Sequence, residues 1–281
     1  MGIELEASFS GVVSTGSYEN EKPFFRIKED VSIDLTDDQK KARILELHSL
    51  CKEAFTLVER ESNAKRIQKA FANIRFREKD GLQLPSVTSI IGWDEEYYVP
   101  EHELTQYAAQ GEINHLKLEY FIKDDKWLDA KQIPEAHKFI LILQKGSLKL
   151  SPDFGDMPAF LKKYPIKFIK SEEEVYNKEH LYSGRYDAYG IPEINDHWKD
   201  IGAEAVPTIF DLKRTKMVIK NMKQLSAYAK ATEDEVKQLV VIPINDKTKQ
   251  GFSKPEVSQD IGSYFKMFLQ DRADFKKQFG V

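Results

Sequence analysis

Two short apolar runs rich in β-branched residues, at 206–212 and 238–244, enclose a helix-patterned segment at about 217–231. Runs of that length are too short for ordinary globular helices and read as buried strands. Two further strand patterns precede them, at 166–177 and 181–190, and the polar stretch at about 192–206 is predicted to protrude. Helices are expected at about 102–123, at 135–145 behind Pro134 and closed by Gly146, and at 258–279. The stretch at 146–158, rich in Gly, Pro, Ser and Asp, reads as a loop. Helix, strands, helix, strand, helix is the order of a mixed α/β domain, a central sheet flanked by helices.

The first 80 residues have a different character. Residues 3–33 read as short strands with turns, a small hairpin. Thr36 followed by Asp37, Asp38 and Gln39 matches a capping box, and Leu47, Cys51, Ala54 and Val58 then recur at helical spacing. A second helical piece at about 64–73 carries Lys65, Arg66 and Lys69, and Arg75, Arg77 and Lys79 follow. These charges fit a solvated helix face or a nucleic-acid contact surface. The pattern changes around Leu84-Pro85-Ser86-Val87-Thr88-Ser89. A boundary near residue 80 therefore separates a hairpin-plus-helix extension, a candidate DNA- or partner-binding module, from a main domain at 81–281.

Composition removes several classes. One cysteine, Cys51, cannot make an internal disulfide, a four-cysteine zinc site or an iron–sulfur cluster. It lies in an apolar helical pattern and reads as a small buried hydrophobe, in keeping with a reducing, cytoplasmic setting. No stretch approaches the ~18 apolar residues of a membrane-spanning helix, and the first residues lack the basic-then-apolar pattern of a signal peptide. Glu6 stands where a myristoylation motif needs Ser or Thr. A net charge of −4 argues against a non-specific DNA coat but leaves room for a local positive field. No phosphate-binding Gly-x-x-x-x-Gly-Lys-Ser/Thr loop is present, so no ATP motor is expected.

The chemistry concentrates between Tyr182 and Tyr228. On a strand, Asp211 and Lys213 project to one side while Leu212 enters the opposite layer, and Asp187 shares a face with Arg185. Pairing the two strands would bring Asp187 beside Asp211. Two close carboxylates repel, and a hard divalent cation such as Mg²⁺ or Mn²⁺ relieves that repulsion while an adjacent lysine orients a water. A salt bridge between Asp211 and Lys213 on a sheet face is the simpler alternative for that triplet alone.

In series, Tyr-Ser-Gly-Arg-Tyr-Asp187, then Pro-Thr-Ile-Phe-Asp211-Leu-Lys213-Arg-Thr, then Gln224-Leu-Ser-Ala-Tyr228 resemble the PD-(D/E)XK nuclease superfamily. They are most similar to its RecB-like branch, which includes phage exonucleases and the mitochondrial genome maintenance exonuclease. Upstream, Pro85-Ser-Val-Thr resembles that branch's opening motif, and Gly111-Glu-Ile-Asn-His115 its Gly-x-x-x-His helix. Arg214 stands between Lys213 and Thr215, one residue more than the Asp-x-Lys-Thr pattern. The resemblance spans about 82–245 and implies a restriction-endonuclease-like core and a metal-dependent DNA nuclease, an exonuclease acting on ends or single strands.

Residue by residue, the resemblance implies that Asp187, Asp211 and the Leu212 backbone carbonyl ligate Mg²⁺ or Mn²⁺. Lys213 would activate the water, and His115 would lie at the metal or the scissile phosphate. Gln224 and Tyr228, four apart on one helix face, would brace the site. Glu172, or failing it Glu174, would complete the ligand set. The cations Lys213, Arg214, Lys216, Lys220 and Lys223 face one acid in their interval, Asp211, and form a candidate contact to the DNA backbone. Trp93, Tyr97 and Tyr98 could stack on single-stranded bases or simply pack. Glu119 could serve the site or pair with Lys123. Against the nuclease stands a second class: a non-catalytic nucleic-acid-binding or assembly subunit that keeps the fold.

Overall fold

The computed structural model describes residues 2–10, 13–16, 19–32, 34–94, 99–214, 218–245 and 248–281. Contacts divide the chain into two compact units, the first built on residues up to Asn73, the second on Ile74–Asp94 and Glu101–Val281.

In the first unit β1 (Gly2–Ser10) pairs antiparallel with β4 (Phe24–Ser32) over nine residues, with the short pair β2 (Val13–Gly16) and β3 (Glu19–Glu21) between them. Alternation sorts the ribbon's faces. Leu5 and Ala7 are buried with Leu47 on the helix α1 (Asp37–Ala72), whereas Glu4 and Glu6 meet Lys28 and Arg26 in solvent. Thr36 caps α1 with the reciprocal Gln39 bond that the sequence implied. The two expected helical pieces are one helix of 36 residues, because 37–72 contains neither Gly nor Pro to break it. Cys51 is buried, its thiol bonded to the Ala7 carbonyl.

The second unit opens with a hairpin, β5 (Phe76–Lys79) and β6 (Leu82–Pro85), around Asp80 and Gly81, both at positive φ. That Asp-Gly pair suits the primed two-residue turn of a twisted ribbon. The hairpin moves the boundary from the expected residue 80 to Asn73. Ser86 then caps the short α2 (Val87–Gly92). The helices α3 (Glu101–Asp124), α4 (His137–Lys145) and α5 (Met157–Lys163) follow. Next come β7 (Ile166–Asn177), β8 (Tyr182–Pro192), α6 (Asp196–Lys199) and β9 (Thr208–Lys213). The unit closes with α7 (Val218–Ala229), β10 (Gln238–Pro243), β11 (Glu256–Ser258) and α8 (Ile261–Phe279).

One mixed five-stranded sheet organises this unit, in the order β11-β10-β9-β8-β7. Only β9 and β10 run parallel, and α7 is the crossover that a parallel pair requires. Both faces are covered. Ile209, Leu239 and Val241 pack with Leu225, Tyr228 and Phe268 from α7 and α8, while Phe210, Leu212, Val240 and Ile242 pack with Leu118, Phe160 and Trp198. Burial on both faces explains why β9 and β10 read as continuous apolar runs. The stretch at 192–206 does not protrude as expected. Trp198 is fully buried and its indole N–H donates to the Pro165 carbonyl at 2.9 Å, with Asn195 capping α6. No described helix is long and apolar enough to cross a membrane.

Candidate metal centre

The site forms where the β8–β9 ladder stops. Its pairs are Gly190↔Thr208, Tyr189↔Ile209 and Ala188↔Phe210, so Asp187 and Asp211 occupy the next position, beyond the ladder. There the Asp187 carboxylate takes the place of a strand carbonyl: its Oδ2 accepts the Leu212 N–H at 2.7 Å. Lys213 turns its carbonyl to Ile244 beside β10. Strand alternation therefore turns both peptide groups of Leu212 toward β8 and Asp187, and its side chain packs in the Phe210 layer, as expected.

His115 arrives from α3. The stripe Gln106, Ala109, Gln110, Ile113, Lys117 and Leu118 buries one face of that helix, and His115 sits at its margin, one quarter exposed. Its Nδ1 lies 3.2 Å from Glu172 Oε1 and 3.2 Å from Asp187 Oδ1.

Glu172 reaches this point through an irregular backbone. In β7 the register pairs Ser171 with Ala188 and Glu173 with Tyr186, and Glu172 between them has φ +51°. A left-handed non-glycine residue costs on the order of 1–3 kcal/mol and persists where its surroundings enforce it. Here Arg185 Nε donates to Glu172 Oε2 at 2.8 Å while Oε1 faces His115. Glu174, the alternative ligand, is not at the site: it is half exposed and bonded to Arg77 and Tyr176. Glu173 takes the Tyr186 hydroxyl and Lys170, and Glu119 pairs with Lys123.

His115, Glu172 and Asp187 together offer one nitrogen and two carboxylate oxygens within 4.8 Å of one another, a set that could hold a metal ion. Asp211 is not in that trio. Lys213 Nζ holds both its oxygens, at 2.9 and 2.8 Å, and Gln224 Nε2 approaches Oδ1 at 3.5 Å while donating to the Tyr228 hydroxyl at 2.9 Å. The structure thus brings seven of the expected residues into one patch and divides them: a donor trio on one side, and on the other an aspartate–lysine pair braced by Gln224 and Tyr228. Arg185 is the further member; its only sequence signal is the strand parity it shares with Asp187.

The charges balance. Burial would raise the Asp187 carboxyl, but the adjoining His115 outweighs burial and holds it below the usual carboxylate range. Burial would likewise suppress the imidazolium, yet Asp187 and Glu172 raise His115 well above its ordinary value. Asp211 is the exception. Burial pushes its carboxyl up to about 6, Lys213 opposing the rise and Asp187 adding to it. Burial disfavours the Lys213 ammonium, and the two aspartates more than restore it.

Gly184 has a structural duty here. A Cβ at that position would stand 2.3 Å from Tyr228 Cε1, so the missing side chain is what lets the Tyr228 ring lie against β8. Gly184→Ala is expected to cost about 1–3 kcal/mol, the range for overpacking a filled core. Denaturant unfolding checks this, and an unchanged midpoint would show that the ring moves aside freely.

The residues of the expected basic patch fall in different settings. Lys223 is bound to Asp271 on α8, Lys220 is half buried in the first turn of α7, and Thr215 and Lys216 lie outside the described residues. Arg214 lies over the Tyr107 ring, its guanidinium carbon 4.7 Å from the centroid. Trp93 packs edge-on to Phe279, while Tyr97 and Tyr98 are outside the described residues, as are the side chains of Lys65, Arg66 and Lys69. No family model and no curated protein matches this chain, so the site speaks through its own geometry.

Proposed function

We propose that this chain is a divalent-metal-dependent DNA nuclease with a restriction-endonuclease-like core of the PD-(D/E)XK type, acting on ends or single strands. One observation carries the reading: His115, Glu172 and Asp187 converge from α3, β7 and β8 beside a buried aspartate–lysine pair at the end of β9. Purely structural ion pairs do not call for a left-handed glutamate or an interrupted strand ladder, and strain of that kind gathers at working sites.

The donor set fits a hard-to-borderline cation. Two carboxylates suit Mg²⁺ and Mn²⁺, and the imidazole tilts the set toward Mn²⁺. Bound there, the cation would supply Lewis-acid activation of a water and neutralise charge on the phosphate. The chain's own residues do the rest. Arg185 fixes the second oxygen of Glu172, and the Leu212 N–H fixes the second oxygen of Asp187, so both ligands are aimed in advance. In this reading Lys213 orients the water and steadies the developing charge, with Gln224 and Tyr228 holding Asp211 in register.

Asp187 and Glu172 hold the His115 imidazole well above its ordinary value despite burial, and its nitrogen must be free of a proton to ligate a cation. Below that raised value Mn²⁺ uptake therefore releases a proton, and apparent affinity rises with pH there by up to about tenfold per unit for each proton displaced. Titration calorimetry in buffers of different protonation enthalpy measures the proton count, and an affinity flat in pH would remove His115 from the ligand set.

The function itself is tested with single- and double-stranded oligonucleotides labelled at the 5′ or 3′ end. Nucleotide release with Mn²⁺ or Mg²⁺ but not with EDTA is the expected result, and the product ladder gives polarity and mode. DNA binding indifferent to metal, with no release, would instead favour the non-catalytic subunit.

A further inference from the structure

Beside the donor trio, a cavity of about 50 Å³ opens between α3 and the end of β9. Tyr107, Gly111, Asn114 and His115 line it from α3, Lys213 from the end of β9 with Arg214 just past it, and Phe154 closes one side. We propose that this cavity is a subsite for one phosphate group of the substrate, next to the phosphate that is cut. The proposal rests on the nuclease reading for the ligand's source, and on the cavity alone for its chemistry.

Asn114 gives the clearest indication. It is 6 % exposed, and no described residue hydrogen-bonds its amide. The amide is not itself sealed from solvent, so it opens on the cavity, where it can exchange a water for a ligand oxygen. Charge sets the ligand's sign. Lys213 and Arg214 line the cavity, and no Asp or Glu does. The rings of Tyr107 and Phe154 hold the Arg214 guanidinium, with centroids at 4.7 and 5.7 Å, which fixes the cation with little loss of rotamer freedom on binding.

Size is compatible with a small anion. The space is roughly three to five times what one water needs, enough for the oxygens of a phosphate. Residue 111 stands beside open space: a Cβ there would meet nothing within 4 Å. Gly111 lies one helical turn before His115, so the cavity adjoins the donor trio on the side of Lys213.

The test uses the full chain without added metal and three probes: thymidine 5′-monophosphate, thymidine 3′-monophosphate and thymidine. Binding is followed by calorimetry or amide chemical shifts. Expected is binding of at least one monophosphate over thymidine, weakened about 10- to 100-fold by Asn114→Asp, the range for a hydrogen bond to a charged group. Gly111→Leu should abolish it by filling the space. Leucine is the better helix former and its Cβ meets no neighbour, so that variant keeps the fold even if Asn114→Asp does not. Equal affinity for thymidine, no binding of either monophosphate, or binding unchanged in Gly111→Leu would overturn the subsite. Mn²⁺ titration of the same samples separates the two ideas: Gly111→Leu should retain cation affinity, and a wild type that binds phosphate but no cation would sink the nuclease reading while leaving the subsite standing.

Discussion

In an Asp187→Asn variant, Mn²⁺ affinity is expected to fall by more than the roughly 10- to 100-fold that losing an outer-sphere partner costs. Asp187 is the hinge of the site. One oxygen meets His115 and the other ties down the Leu212 N–H. Asparagine keeps the size and one acceptor, so the Leu212 bond can survive, but the negative charge is gone. Two further consequences separate this from misfolding. His115 loses its strongest charge partner and should titrate lower. Asp211 loses the neighbour whose charge helps push it up to about 6, and should titrate lower too. Calorimetry gives the affinity, and NMR titration of the imidazole and the carboxyl gives both shifts. A folded variant with wild-type Mn²⁺ affinity would place Asp187 outside the centre.

Replacing Lys213 with methionine is expected to split binding from catalysis. Lys213 holds Asp211 and no member of the donor trio, so Mn²⁺ affinity should be kept. Cleavage should drop by about 10²–10⁴-fold, the range for losing a positioned proton-transfer or charge-stabilising group. The variant should also be less stable, because a buried carboxylate is left without its cation; breaking such a pair costs about 3–5 kcal/mol. The sign with pH follows from Asp211. Its carboxyl already titrates above its unfolded value, and without Lys213 it rises further. Below that raised value the group is neutral and the penalty vanishes; as pH climbs past it, the charge is forced into the interior. The destabilisation should therefore be larger at pH 8 than at pH 5. Paired unfolding curves check this, and a loss independent of pH would mean that Lys213 acts through packing alone.

Much of the second unit could be read in advance because burial on both sheet faces writes itself into sequence. β7 begins and ends where the strand pattern does, and α3, α7, β10 and α8 fall within a few residues of their expected spans. Short-range signals carried these: apolar runs, a helical stripe and caps. What escaped depends on contacts distant in sequence. The stretch at 192–206 is polar on average, yet a single tryptophan anchors it to the core. Lys223 reads as free charge until α8 brings Asp271 to it. The boundary expected near residue 80 rests on the change of pattern around Leu84–Ser89, whereas an Asp-Gly turn at 80–81 joins two paired strands.

The site divides along the same line. Strand parity puts Asp211 with Lys213, and pairing of the two strands puts Asp187 beside Asp211. The resemblance added His115, Gln224 and Tyr228, and the structure gathers all of them. Parity failed at Glu172. It would have put Glu172 and Glu174 on one face, but the positive φ at Glu172 sends the two carboxylates to different partners. Nor could spacing foresee that Asp211 would be claimed by Lys213 rather than join the donor trio.

The central assertion is that His115, Glu172 and Asp187 share one divalent cation. Crystals of the protein soaked in Mn²⁺ and measured for anomalous scattering address it directly. A single strong peak about 2.0–2.3 Å from the His115 nitrogen and from one oxygen each of Glu172 and Asp187 is the expected outcome. Saturating Mn²⁺ with no peak there, or with the ion held elsewhere while Glu172 and Asp187 still grip His115, would contradict it.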